Sequence, residues 1–301
     1  MQEQDKGFWG HWHSSTRDIA RMNRGDPRAR LALLILFVLF ATPVRSAPGA
    51  APSSQSASCA ARTNGASPPL GTSRILEVPR GVRVGIKSFP TTLPLQAKEV
   101  VLTFDDGPRP RTTEAILDAL KAQCVHATFF VIGQNARAHP ELVRRILAEG
   151  HTLAHHSMTH PAATLAHLPE AAALAEIEDG IAADERAGYG SVASPARIPF
   201  FRFPGFASTP QLLDAVEKRG LSVFGADLWA SDWNRMTPEA ELALVTRRLE
   251  AAQGGIILFH DTKSQTAAMI PAFLETLRDR GYRVVHIVPA PATAPVTPSA
   301  R

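Results

Sequence analysis

Four histidines, His151, His155, His156 and His160, fall within ten residues of a 301-residue chain. Neutral imidazole is a common transition-metal ligand, and two imidazoles four positions apart can face one ion. Two such pairs exist, His151/His155 and His156/His160. Elsewhere two carboxylates stand side by side in Thr103-Phe104-Asp105-Asp106-Gly107-Pro108. Adjacent like charges repel unless a cation lies between or beside them, although Asp-Gly-Pro is also ordinary turn chemistry. Two imidazoles plus one carboxylate give three protein ligands and an open position, the composition of a catalytic rather than a structural zinc site. The second carboxylate is then free to serve as a base.

The rest of such a site needs a cation to orient that base and an acid for the leaving group. Arg202, Asp227 or Asp232, and His260-Asp261 have the right chemistry. Each has a plain reading when taken alone. Arg202 suits a surface ion pair, Trp229 and Trp233 suit core aromatics, and His260 suits a hydrogen-bonded loop histidine. His167 reads as an exposed side chain.

These residues gain meaning from the elements that must position them. Apolar, β-branched or aromatic runs occur at 99–104, 127–132, 151–155, 198–203, 221–226, 255–259 and 283–288. Helical patterns lie between them, near 112–122, 138–149, 169–187, 209–219, 238–252 and 266–280. Pro140-Glu141, Thr209-Pro210 and Thr237-Pro238-Glu239 are helix starts, and Gly150, Gly220 and Gly281 are helix ends. Seven strands alternating with six helices demand a parallel sheet, either open and doubly wound or closed into a barrel. Both put chemistry at the C-terminal strand ends. That rule favours His156/His160 over His151/His155, which lie within the strand and are expected to pack.

Composition narrows the function class. The chain is 45% apolar and 20% charged, with a formal net charge of +4. Residues 1–46 carry seven basic and four acidic residues, leaving 25 and 24 for the remainder. The basic excess therefore belongs to the first segment, and a nucleic-acid partner has no electrostatic support. Leu31–Ala41 is an unbroken run of eleven apolar residues behind Arg24, Arg28 and Arg30. A membrane span needs about 20, so the run fits a secretory signal with cleavage after Ser46, or a retained anchor. A start at Met22 gives that signal ordinary length. The domain plan is a leader at 1–46, a flexible linker at 47–72, a short strand or hairpin extension at 73–98, one catalytic domain at 99–288 and a disordered tail at 289–301. Two cysteines, Cys59 and Cys124, are present. In an oxidising compartment they can pair, or Cys124 can be a buried thiol.

With these residues in place, the chain resembles the polysaccharide deacetylases, the family 4 carbohydrate esterases that share the NodB-type domain. TFDDGP, HSMTHP and Phe259-His260-Asp261 carry the resemblance, which runs over roughly Glu99–Val288. It implies an α/β fold, a distorted (β/α)7 barrel. It also implies a divalent metal on Asp106, His156 and His160, zinc in first place, with cobalt or another divalent ion as the alternative. Asp105 then acts as general base and His260 as general acid, with Arg202 orienting Asp105 and Asp232 supporting His260. Gly205 N–H holds the oxyanion, and Phe206 and Trp233 face the sugar. Two departures stand out. Phe206 follows Arg202-Phe203-Pro204-Gly205, where Tyr or Phe often comes sooner after the proline, and Asp227 and Asp232 are five positions apart, which leaves the supporting acid open between them.

The implied activity is removal of N-acetyl groups from a peptidoglycan or chitin-like glycan, with acetate released in the periplasm or outside the cell. Two alternatives are a hydrolase of small non-sugar amides on the same barrel and a noncatalytic glycan-binding module using Trp229, Trp233, Phe203 and Phe206. A two-carboxylate glycosidase is disfavoured, because the adjacent Asp105 and Asp106 diverge instead of flanking a bond at a separation of about 5–9.5 Å.

Overall fold

A computed structural model describes residues 68–291. The leader, Met22, Cys59, residues 47–67 of the linker and the tail from 292 lie outside the described residues. The strands are β1 (Thr72–Val78), β2 (Arg83–Val84), β3 (Glu99–Asp105), β4 (Thr128–Val131), β5 (Thr152–His155), β6 (Phe200–Phe201), β7 (Ser222–Phe224), β8 (Leu228–Trp229), β9 (Gly255–His260) and β10 (Arg283–Pro289). The helices are α1 (Thr112–Ala122), α2 (Gly133–Ala138), α3 (Pro140–Ala148), α4 (Glu170–Tyr189), α5 (Pro210–Lys218), α6 (Pro238–Ala252) and α7 (Ser264–Asp279). Among the described residues none is long and apolar enough to cross a membrane.

Every ladder is parallel, and the fold is α/β, with helices joining successive strands from β3 onward except between β7 and β8. The central array runs β8-β9-β3-β4-β5-β6-β7. It has seven strands, but not the expected seven. Its sixth in chain order is the two-residue β8, too short for any periodicity to reveal, whereas β10 pairs with β1 and only touches the start of β3. The extension before Glu99 is no hairpin, because β1 pairs with β10 and β2 with β7. Among the described residues no ladder joins β7 to β8; the Asp227 carboxylate bridges the gap. It accepts from Ile86 N (2.9 Å), Thr92 Oγ1 (2.7 Å) and Ile256 N (2.7 Å).

The two-residue period of a strand decides which side chains meet. Val100, Leu102 and Phe104 of β3 pack outward with Ile116, Leu120 and Phe273 of the helices. Val101 turns the other way, into a second cluster with Phe130, Ala154, Phe200, Phe224 and Ile256. Continuing that inner parity reaches Thr103 and Asp105 on β3, His156 after β5, Arg202 after β6, and Leu258 and His260 on β9. The outer parity carries Leu153 and His155. The helix ends follow the expected signals. Thr209 and Thr237 accept from Leu212 N (3.2 Å) and Ala240 N (3.3 Å), and Gly150, Gly220 and Gly281 have φ of 83°, 71° and 71°. Helix α2 is an addition; six residues are too few to show a helical period.

A trio of histidines gathers where the N-terminal ends of β4 and β5 meet the middle of β10. His126 lies 5.8 Å from His151 and 5.3 Å from His286, between ring centres. Burial drives His151 down to about 3 and His286 to about 4. Both are neutral in the fold, while the unfolded chain protonates them below about pH 6.5. Their contribution is therefore complete above about pH 6.5 and is lost as pH falls toward 4 and 3. Between pH 7 and pH 5 this amounts to about 2 kcal/mol per histidine. Urea unfolding of metal-free protein at pH 7, 6 and 5 checks it: His286→Gln is expected to show a shallower decline than the parent. Parallel declines refute the account.

Candidate active site

The inner-facing residues converge at the C-terminal strand ends on a cleft of about 390 Å³. Asp105, Asp106, His156, His160, Phe203, Gly205, Phe206, Trp229, Trp233 and His260 line it. Asp105 and His260 are register partners at the ends of β3 and β9. Backbone strain gathers here, with Asp106, Ser157, His160, Phe206 and Ser231 at φ of 76°, 67°, 51°, 58° and 61°. Non-glycine residues in this region cost roughly 1–3 kcal/mol each and persist where surrounding structure compels them.

One ligand atom from each of Asp106, His156 and His160 lies within 4.8 Å of the others. His156 Nδ1 is 2.8 Å from the Arg202 carbonyl, so it carries the proton and donates. Its Nε2 then presents a lone pair 3.6 Å from Asp106 Oδ1, and His160 Nε2 lies 3.7 Å from the same oxygen. Asp106 Oδ1 is buried without a hydrogen-bond partner. Burial pushes His156 down to about 3, leaving it neutral as a ligand must be. Asn135 of α2 fixes the Asp106 backbone, donating to its carbonyl at 2.7 Å. Helix α4 supports the histidine loop at very close range. A Cβ on Gly180 would lie 2.5 Å from the Ser157 carbonyl carbon, and Glu176 accepts from Thr159 N and Oγ1, both at 2.8 Å.

Two charge pairs flank this group. Arg202 is fully buried, stacks 4.2 Å over Phe130 and donates to Asp105 Oδ1 (2.7 Å) and Thr103 Oγ1 (2.9 Å). Its other donors reach the carbonyls of Phe224 and Gly225. Burial pushes the Asp105 carboxyl up, and Arg202 opposes that. On the far side His260 Nδ1 meets Asp232 Oδ1 at 2.7 Å, and His260 N donates to Asp232 Oδ2 at 2.6 Å. Burial disfavours the imidazolium, but Asp232, with Asp106 and Asp105, lifts His260 to about 9. The choice between the two aspartates thus falls to Asp232 by contact, while Asp227 is absorbed in bridging the sheet.

Other expectations fare as follows. His151 and His155 do pack. His155 Nε2 donates to Ile198 O (3.1 Å), and its Nδ1 pairs at 2.8 Å with the Asp184 carboxyl, which burial pushes well above the usual carboxylate range. His167 is exposed. Phe203 lines the cleft yet is only 3% exposed, so its ring is no free sugar platform; it packs edge-on against Phe201. Trp233 is 48% exposed and does not belong to the core; with Trp229 and Phe206 it forms a continuous aromatic wall. Cys124 is disulfide-bonded. Lys263 and Thr266 are additions that no motif announced, and Thr103, inside TFDDGP, had been given no role.

A profile of the polysaccharide deacetylase family matches residues 93–224. A peptidoglycan-N-acetylglucosamine deacetylase of Bacillus cereus is 34% identical over 192 residues, 62% of this chain and 68% of that protein. The chain belongs to the polysaccharide deacetylase family. A chitooligosaccharide deacetylase of a Bradyrhizobium species is 32% identical over 207 residues, 64% of this chain and 90% of that one. Among solved structures, a Bdellovibrio bacteriovorus peptidoglycan deacetylase superposes with a TM-score of 0.65 at 32% identity, covering 75% of this chain and 61% of that one. A family 4 carbohydrate esterase from Streptomyces lividans gives 0.52 at 34% identity, covering 64% and 91%. By class, this member of the family is a polysaccharide N-deacetylase.

Proposed function

We propose that the chain is an exported, divalent-metal-dependent hydrolase that removes N-acetyl groups from amino sugars of a peptidoglycan or chitin-like glycan and releases acetate. The observation that carries this reading is the placement of the Asp105–Arg202 and His260–Asp232 pairs on either side of Asp106, His156 and His160. A cation on those three residues, with zinc favoured over cobalt, supplies Lewis acidity toward an amide carbonyl and makes water acidic enough to attack near neutral pH. Asp105, oriented by Arg202, accepts the proton of the attacking water. The Gly205 N–H is assigned to the developing oxyanion, a donor type that contributes about 2.7–4 kcal/mol. His260 delivers its Nε2 proton to the departing nitrogen, leaving acetate and a free amine. Phe206, Trp229 and Trp233 offer the sugar ring an apolar face. The apolar Leu31–Ala41 run supports export, with the leader either cleaved or kept as an anchor.

Acetate release from purified protein tests the proposal, across peptidoglycan fragments, chitin oligomers and simple cyclic amides, with and without added zinc. Release from the glycans alone, abolished by chelation and restored by zinc, is the expected result. Turnover confined to cyclic amides transfers the site to small-amide chemistry, and glycan binding without any release leaves a binding module.

A further inference from the structure

Behind Asp232 lies a buried polar chain that never reaches the cleft. Thr266, in the first turn of α7, places Oγ1 3.0 Å from Asp232 Oδ2 and 2.9 Å from Glu241 Oε1. Glu241 belongs to the first turn of α6. Asp232, Thr266 and Glu241 are all fully buried. We propose that Glu241 and Thr266 are positioning residues of the deacetylation, a hydrogen-bonded relay that orients Asp232 and, through it, His260. This rests on the reading of His260 as the proton donor.

Counting protons gives the relay its direction. A hydroxyl has one hydrogen, and here it lies between two carboxyl groups. Asp232 already accepts from both the imidazole and the backbone N–H of His260, as an anion does. Glu241 Oε2 has no partner, so an ionised Glu241 would leave a bare charged oxygen in a dry interior. Glu241 is therefore the neutral acid: it donates to Thr266 Oγ1, which donates to Asp232 Oδ2. Burial lifts the Glu241 carboxyl to about 7, and the charge of Asp232 adds to that rise. With its donors in place, Asp232 is held in one rotamer with Oδ1 aimed at His260 Nδ1. A leucine at 241 would fill the space without an orphaned oxygen, so packing alone does not explain this glutamate.

The test compares Thr266→Val and Glu241→Met, which break the relay, with Thr266→Ser and Glu241→Gln, which keep a donor at each position. Substrate turnover, bound zinc and thermal midpoint are measured for each. Breaking variants are expected to lose about tenfold or more in kcat, with KM within about twofold and zinc content unchanged, while the conservative pair retains most activity. If valine at 266 prevents folding, Thr266→Ala gives the same comparison. Asp232→Asn runs in parallel. A large kcat loss there with none in Thr266→Val or Glu241→Met overturns the relay. Unchanged kcat in Asp232→Asn overturns the acid assignment itself. Equal losses in Glu241→Gln and Glu241→Met also defeat the relay.

Discussion

Asp105→Asn is expected to lower kcat by about 10²–10⁴-fold, the usual contribution of a general base, while bound metal stays at the level of the parent. The two halves of that result come from different atoms. Asp106, His156 and His160 are the proposed ligand set, and none of the distances among them involves Asp105. Asparagine keeps an oxygen for the Arg202 guanidinium, which now donates to Asp105 Oδ1 at 2.7 Å. What disappears is the basic oxygen Oδ2, 3.8 Å from His156 Nε2 at the edge of the metal group. The buried Arg202 also loses its counter-ion, so a lower thermal midpoint accompanies the change. Acetate release, zinc content and melting of the same preparation check the three parts together. Turnover within tenfold of the parent removes Asp105 from the role of base.

Much of this site was legible because alternation along a strand is strict. The run from Glu99 to Asp105 ends inward at a carboxylate, and His155 and His156 must face opposite ways, one toward α4 and one toward the cleft. The preference for His156/His160 rests on a second regularity, that chemistry gathers at the C-terminal strand ends. Asp227 and Asp232 resisted the same logic. Both follow β7 in an irregular stretch interrupted by two-residue β8, and only contacts with Ile86, Thr92 and Ile256 reveal that Asp227 is already engaged. Glu241 and Thr266 were out of reach for another reason. They sit on separate helices 25 residues apart, and their pairing depends on how α6 and α7 pack. Gly133 likewise gave no signal of its closeness to Met158 and Gly180, since a glycine that admits a neighbouring backbone reads like any turn glycine.

His260→Ala is expected to abolish most turnover of an N-acetyl sugar with little change in metal content. His260 Nδ1 is committed to Asp232 at 2.7 Å, and its Nε2 faces Asp106 Oδ2 at 3.9 Å rather than the Oδ1 shared by His156 and His160. Geometry thus sets His260 beside the metal group, outside its ligand set. An amide nitrogen is a poor leaving group unless it is protonated as the bond breaks, whereas an activated ester departs without that help. The variant should therefore lose about 10²–10⁴-fold on the acetamide but far less on an aryl acetate. Equal losses on both substrates reassign His260 from proton donor to oxyanion stabiliser. Loss of zinc along with activity makes it a ligand instead, and the Asp232 carboxylate, buried and stripped of its imidazole partner, then ceases to explain why the histidine is held where it is.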